Sequence, residues 1–251
     1  MSKVALVVGG GTGIGYASAR RLAGRGVAVM LSGRREEKLR EAESRLSEEV
    51  EGAKVAICAG DSAVEADAKR IVAATVEAFG GLDICVNCAG TYEPTDFLDM
   101  DERAWQATIG PTLDAILYPC VAAAKVMAER GGGRFVLISS VNSPVSEPES
   151  AHYSAAKAAV SSLARSMAVD LAKHNIVANA IAPGWVATDM VGDFVENATP
   201  ESLKQLNILG RVGEPDELGN VVEYLGLDAP QYLDGATIFV DGGQTAMAPL
   251  I

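Results

Sequence analysis

Tyr153 and Lys157 stand four residues apart, and Ser140 lies thirteen residues before Tyr153. On a helix an i, i+4 pair shares one face, which sets a lysine ammonium beside a phenol. A phenol has a reference pKa of about 10, too high for proton transfer at neutral pH, and a neighbouring cation lowers it. A hydroxyl delivered by Ser140 from the end of a preceding strand would hold a carbonyl oxygen for protonation. Together these groups suit adding hydride to a ketone or removing it from an alcohol.

The elements that must position them are legible. Short, mostly apolar runs at 4–8, 27–31, 54–58, 82–87, 134–139, 176–181 and 237–240 read as strands. Amphipathic stretches near 13–24, 35–49, 63–79, 101–129, 151–174 and 214–226 read as helices between them. Strand–helix alternation demands right-handed crossovers and a parallel sheet, and nearly all-apolar strands suit a sheet covered on both faces. The expected fold is α/β: a doubly wound parallel sheet of about seven strands with helices on both faces, in one domain over 1–251. Ligands bind at the carboxyl ends of such strands. The glycines after Val8, Arg34, Asp61, the run Asn87 to Gly90, Ser140 and Pro183-Gly184 all fall there.

After the first strand comes Gly9-Gly10-Gly11-Thr12-Gly13-Ile14-Gly15 and then a helix. Glycines allow a tight turn and close approach to phosphate, and a helix N-terminus offers free N–H groups. The strict G-x-G-x-x-G spacing is absent. The second strand ends at Ser32-Gly33-Arg34-Arg35, with no carboxylate before Glu36. An acid there would bind a ribose 2′-hydroxyl, whereas an arginine suits a 2′-phosphate, so NADP is favoured over NAD. The alternative leaves Arg34 and Arg35 as solvated residues opening a helix.

These motifs together resemble the short-chain dehydrogenase/reductase family, in its single-domain Rossmann-fold form, across nearly the whole chain. The family's T-G-x-x-x-G-x-G loop is matched from Val8 to Gly15, with valine in place of threonine. Its N-N-A-G is matched by Asn87-Cys88-Ala89-Gly90, its adenine-binding aspartate by Asp61 with Ser62 beside it, and its P-G-x-V-x-T by Pro183 to Thr188. The resemblance implies that Tyr153 is the acid/base, that Lys157 lowers its pKa and holds the nicotinamide ribose, and that Ser140 binds the substrate oxygen. It implies cofactor contacts at Gly9, Gly11, Thr12, Gly13, Ile14, Gly15, Arg34, Asp61, Ser62, Asn87, Ala89, Gly90, Tyr153, Lys157, Pro183, Gly184, Val186 and Thr188, the last to the carboxamide. His152, beside Tyr153, points elsewhere on the helix, and it and His174 read as structural or exposed.

One position departs from the family. Its usual helix asparagine falls on Thr112, after Pro111. In the family that asparagine supports a kink whose carbonyl binds a water in the proton relay. Proline makes a kink by itself, so Pro111 is expected to supply it, leaving a carbonyl of Ala107 or Thr112 for the water. Pro119 predicts a second disturbance. A cofactor-binding protein with weak or no catalysis is the competing function. A sugar epimerase of the extended branch would need a longer substrate domain after residue 190.

A net charge of −12 argues against nucleic acid and against an anionic membrane surface. No apolar run comes near the roughly 18 residues of a membrane span. Met1-Ser2-Lys3 runs straight into a strand, and 248–251 match no targeting signal. Cys85 and Cys88 have the C-x-x-C spacing but close a strand and are too few for zinc, so they read as buried small residues and no metal is expected. A cytoplasmic protein is expected. Substrate contacts are expected from 143–150 and from a lid at 189–211. In that lid Met190, Val191, Phe194, Val195, Leu203, Leu206 and Ile208 would turn inward, and Asp189, Asp193 and Glu196 toward water. Glu147 and Glu149 would discourage anionic substrates if they face the site. The family forms dimers and tetramers through the two long helices, which implies a homodimer or homotetramer here.

Overall fold

In the computed structural model, which describes residues 2–192 and 197–247, seven parallel strands lie in the order β3-β2-β1-β4-β5-β6-β7. They are β1 (Val4–Val8), β2 (Ala28–Gly33), β3 (Val55–Ala59), β4 (Ile84–Asn87), β5 (Gly133–Ile138), β6 (Ile176–Pro183) and β7 (Thr237–Val240). The expected strands are all present, 4–8 and 237–240 with unchanged ends and the others with ends shifted by no more than two residues. The helices are α1 (Gly13–Gly24), α2 (Glu36–Glu49), α3 (Glu65–Phe79), α4 (Glu102–Ile109), α5 (Ala115–Glu129), α6 (Ala151–Leu171), α7 (Pro200–Leu206) and α8 (Pro215–Glu223).

The period of two along β1 divides the core. Ala5 and Val7 pack with Leu22 of α1, Leu46 of α2 and Val222 of α8. Leu6 and Val8 face the other way, toward Ile71 of α3, Ile116 of α5 and Val160 of α6. All of β1 is buried, as a strand covered on both faces must be. The chain runs outward from β1 to β3, then returns to β4 on the other side of β1. This reversal opens a crevice at the strand ends between β1 and β4.

The stretch expected as one helix at 101–129 is interrupted. Residues Gly110–Asp114 form a π turn between α4 and α5, with Pro111 in its first turn. The whole stretch, Glu102–Glu129, has the length and apolar composition of a membrane span, contrary to the expectation that no such run exists. It packs on α3, α6 and the sheet as a core helix does. Pro119 does not break α5, which continues through it.

Candidate active site

The glycine loop is shaped by what a side chain would strike. Gly9 has φ of 75°, and a Cβ there would lie 3.1 Å from the carbonyl carbon of Cys88 at the end of β4. A Cβ on Gly13 would lie 3.0 Å from Thr188 Cγ2, and one on Gly15 would overlap the Gly9 carbonyl oxygen. The loop is further tied to β2, since the Gly9 and Gly10 N–H groups both donate to Ser32 O, at 2.8 and 3.1 Å. Thr12, the N-cap of α1, makes no side-chain capping bond. First-turn N–H groups of a helix lack helical partners, so this end presents donors at a place where only backbone fits.

One cleft runs along the strand ends and gathers nearly all the expected residues. Gly9, Gly11, Thr12, Gly13, Ile14 and Gly15 line it from the loop, and Arg34, Asp61 and Ser62 from beyond β2 and β3. Ala89 and Gly90 line it beyond β4, Ser140 beyond β5, Tyr153 and Lys157 from α6, and Pro183, Gly184, Val186 and Thr188 from the end of β6 and beyond. Asn87 is the exception. It is fully buried, its Nδ2 donates to Ala115 O at 2.9 Å, and its Oδ1 accepts from the Ala89 N–H at 3.1 Å. Pro119 has no N–H to give to Ala115 O, its partner four residues back. Asn87 fills that gap and so holds the cleft wall from behind.

Ser139, next to Ser140, fixes the reacting groups in register. Its hydroxyl donates to Lys157 O at 2.8 Å and lies 2.7 Å from Ser161 Oγ, joining the end of β5 to α6. Ser140 Oγ accepts from the Asn142 N–H at 3.1 Å. Lys157 is 3% exposed, and its Nζ donates to Ile138 O at 2.8 Å and stands 5.6 Å from the Tyr153 ring centre. A Cβ on Gly90 would press on that Nζ at 3.3 Å.

The expected lowering of the phenol is not found in the protein alone. Burial pushes Tyr153 up to about 12, the hydrogen bond with Ser140 opposes it, and the charge of Glu147 and the nearby Tyr92 add to it. Burial also drives Lys157 down to about 8. Desolvation disfavours the charged form of both groups, and the ammonium is aimed at a backbone carbonyl rather than at the phenol oxygen.

At Pro111 the helix is interrupted by a π turn, and neither Ala107 nor Thr112 lines the cleft; Pro111 and Ala115 do. Ala107 is exposed. Thr112 is fully buried, with its hydroxyl donating to Thr91 O at 3.2 Å and accepting from the Thr91 N–H at 3.3 Å. Of the lid, Met190 and Val191 line the cleft, Ile208 is exposed, and Asp193, Phe194, Val195 and Glu196 lie outside the described residues. Asp189 is exposed but also borders the cleft. Cys85 is buried as expected, whereas Cys88 lines the cleft with its thiol raised by burial to about 12. His152 is buried with Nε2 3.0 Å from Glu93 O, and His174 is exposed.

Several lining residues carry no local motif. Lys38 joins Arg34 and Arg35. The Tyr92 ring lies 5.0 Å from that of Tyr153. Glu147 accepts from Trp185 Nε1 at 3.3 Å across the cleft. Only Glu147 gave a signal in sequence, as an acid close to Ser140.

A family model described as enoyl-(acyl carrier protein) reductase matches residues 9–245. L-rhamnose 1-dehydrogenase (NAD(P)(+)) of Azotobacter vinelandii is 36% identical over 247 residues, covering 97% of this chain and 96% of that one. The chain belongs to the short-chain dehydrogenase/reductase family. Among other members of this family, a 3alpha-hydroxysteroid dehydrogenase of Mediterraneibacter gnavus is 36% identical, covering 96% of each chain. The structure of a short-chain type dehydrogenase/reductase from Mycobacterium ulcerans superposes with a TM-score of 0.92 at 31% identity, over 98% of this chain and 92% of that one. As a short-chain dehydrogenase/reductase, the protein is an oxidoreductase of alcohols and carbonyl compounds that uses a nicotinamide dinucleotide.

Proposed function

We propose that this oxidoreductase is an NADP(H)-dependent reductase of ketones, of the 3-oxoacyl or related secondary-alcohol type, in which Tyr153 exchanges the proton. The observation that carries the reading is the meeting of the Tyr153 phenol, the Ser140 hydroxyl and the Lys157 ammonium in a cleft whose floor is the glycine loop. The dinucleotide, when bound, supplies or takes the hydride. Ser140 holds the substrate oxygen, Tyr153 gives it a proton, and Lys157 supplies positive charge beside them. With its pKa at about 12, the phenol is protonated at neutral pH, which is the state that donates. Reduction takes up a proton, so rising pH shifts the balance toward alcohol oxidation.

NADP rather than NAD is supported by Arg34 and Arg35, which line the cleft beyond β2 without an ion pair among the described residues, and by Lys38 beside them. Asp61 is held by a turn in which its Oδ1 accepts from the Ala63 N–H at 3.0 Å, fitting a fixed adenine contact. The four free cysteines support a reducing compartment, the cytoplasm.

The test is NADPH and NADH oxidation over a panel of carbonyl compounds. Tyr153→Phe is expected to lower kcat by roughly a hundredfold to ten-thousandfold while NADPH still binds. Arg34→Ala is expected to raise the KM for NADPH about tenfold and leave that for NADH unchanged. Thr112 in place of the family's asparagine favours a second reading, a cofactor-binding protein with little catalysis. NADPH binding with no turnover that Tyr153→Phe abolishes would support it.

A further inference from the structure

The cleft carries opposite charge at its two ends. Beyond β2 and β3 it is lined by Arg34, Arg35 and Lys38, an excess of cations over the acid Asp61. Around Tyr153 it is lined by Glu147, whose charge acts on the phenol. Lys157 is the one cation at that end among the described residues, and its ammonium is turned to Ile138 O.

Glu147 is held in place by the helix that carries Tyr153. Its N–H donates to Ser150 Oγ at 3.1 Å, and its carbonyl accepts from the same hydroxyl at 2.6 Å. Ser150 Oγ in turn lies 3.1 Å from Ser154 Oγ, next to Tyr153 in the first turn of α6. One carboxylate oxygen, Oε1, accepts from Trp185 Nε1 at 3.3 Å, and the other makes no hydrogen bond with the described residues. Burial is the largest cause of the raised Tyr153 and Tyr92 phenols, and the charge of Glu147 adds to both, so its field reaches the reacting hydroxyl. An ionised carboxylate is acceptor-only. A substrate group beside it must donate a hydrogen bond or leave it unmatched, and a second carboxylate is repelled.

We propose that Glu147 selects the substrate: its free oxygen accepts a hydrogen bond from a hydroxyl borne close to the reacting carbon, and its charge turns away molecules with a carboxylate at that place. The favoured substrates are uncharged hydroxy ketones and the corresponding diols. The reaction in this statement rests on the ketone-reductase reading; the binding preference does not.

Acetoin, butanone and acetoacetate share a methyl ketone and differ at the neighbouring carbon. For each, kcat/KM with NADPH and the dissociation constant by calorimetry in the presence of NADP+ are measured for the wild type, Glu147→Gln and Glu149→Gln. The wild type is expected to favour acetoin over butanone about tenfold, and over acetoacetate by more. Glu147→Gln keeps an acceptor for Trp185 and is expected to bring acetoacetate up about tenfold relative to acetoin in both readouts. Glu149 does not line the cleft, and Glu149→Gln is expected to leave the ratios alone. Ratios in Glu147→Gln within about twofold of the wild type, or no binding of any of the three, overturn the assignment. A binding ratio that moves with Glu147 without turnover of any compound supports it and overturns the reductase reading. Turnover with fixed ratios does the reverse.

Discussion

Lys157 and Tyr153 are buried side by side, and burial pushes each toward its neutral form, the lysine down to about 8 and the phenol up to about 12. The spacing of the pair tells which face they share but not where the ammonium points, and Nζ is taken up by Ile138 O. This makes Lys157 costly to the folded chain until something else engages it. With a folded pKa of about 8 against an ordinary 10.5, the unfolded chain binds more protons between those values, so stability rises with pH across that window. Below it the penalty is fully present, on the order of 3 kcal/mol before the bond to Ile138 O offsets part of it. Tyr153 acts at higher pH and in the opposite sense: its folded form keeps the proton from 10 to about 12, and its contribution is lost as pH climbs through that range. Lys157→Met is therefore expected to unfold at higher denaturant concentration than the wild type near pH 7 without cofactor, with the gap closing near pH 10. A gap that is absent near pH 7, or that widens with pH, would refute the burial penalty.

The long interrupted helix shows what sequence reveals about an element and what it hides. Apolar runs bounded by polar turns made the strands legible, because strands buried on both faces have little freedom in composition. Pro111 marked the interruption, since a missing N–H and a ring clash act on the chain's own backbone. The partners across the fold were not legible. Asn87 was expected at the cofactor from its place in the N-N-A-G match, and local spacing did not show that its amide serves Ala115 O, 28 residues away. Lys38, Tyr92 and Trp185 likewise reach the cleft through tertiary packing, which leaves no mark at the local spacing. The Asn87 assignment can be tested as a pair with Pro119. Asn87→Ala is expected to cost about 1–3 kcal/mol in urea unfolding by leaving Ala115 O without its donor. Pro119→Ala restores an N–H four residues after Ala115, so in that background the same asparagine change should cost at least about 1 kcal/mol less. Equal costs in the two backgrounds would mean that Asn87 acts through something other than this carbonyl.

At the scale of the molecule, some of the exposed apolar residues lie on the elements expected to meet a second copy. Val121 on α5 is 47% exposed and Val169 on α6 is 79% exposed, on the two helices expected to join copies of the chain. Tyr232 before β7 and Phe239 on it are also exposed, and among the described residues β7 pairs only with β6. An acidic chain of charge −12 repels its own copies at long range, so association has to come from apolar contact at short range. The many alanines of α5 and α6 would let two such helices approach closely. A face of this kind has to remove roughly 1,200–2,000 Å² from water in total to hold a specific dimer. Light scattering on a gel-filtered sample at micromolar concentration is therefore expected to give two or four times the chain mass of 26.0 kDa. Val169→Glu should lower that mass, because it would bury a charge with no partner in the shared face. If the wild type is larger than a monomer and Val169→Glu leaves the mass unchanged, the contact lies at the β7 edge instead, and Phe239→Lys becomes the variant that separates the copies. A wild-type particle of 26.0 kDa would refute the assembly.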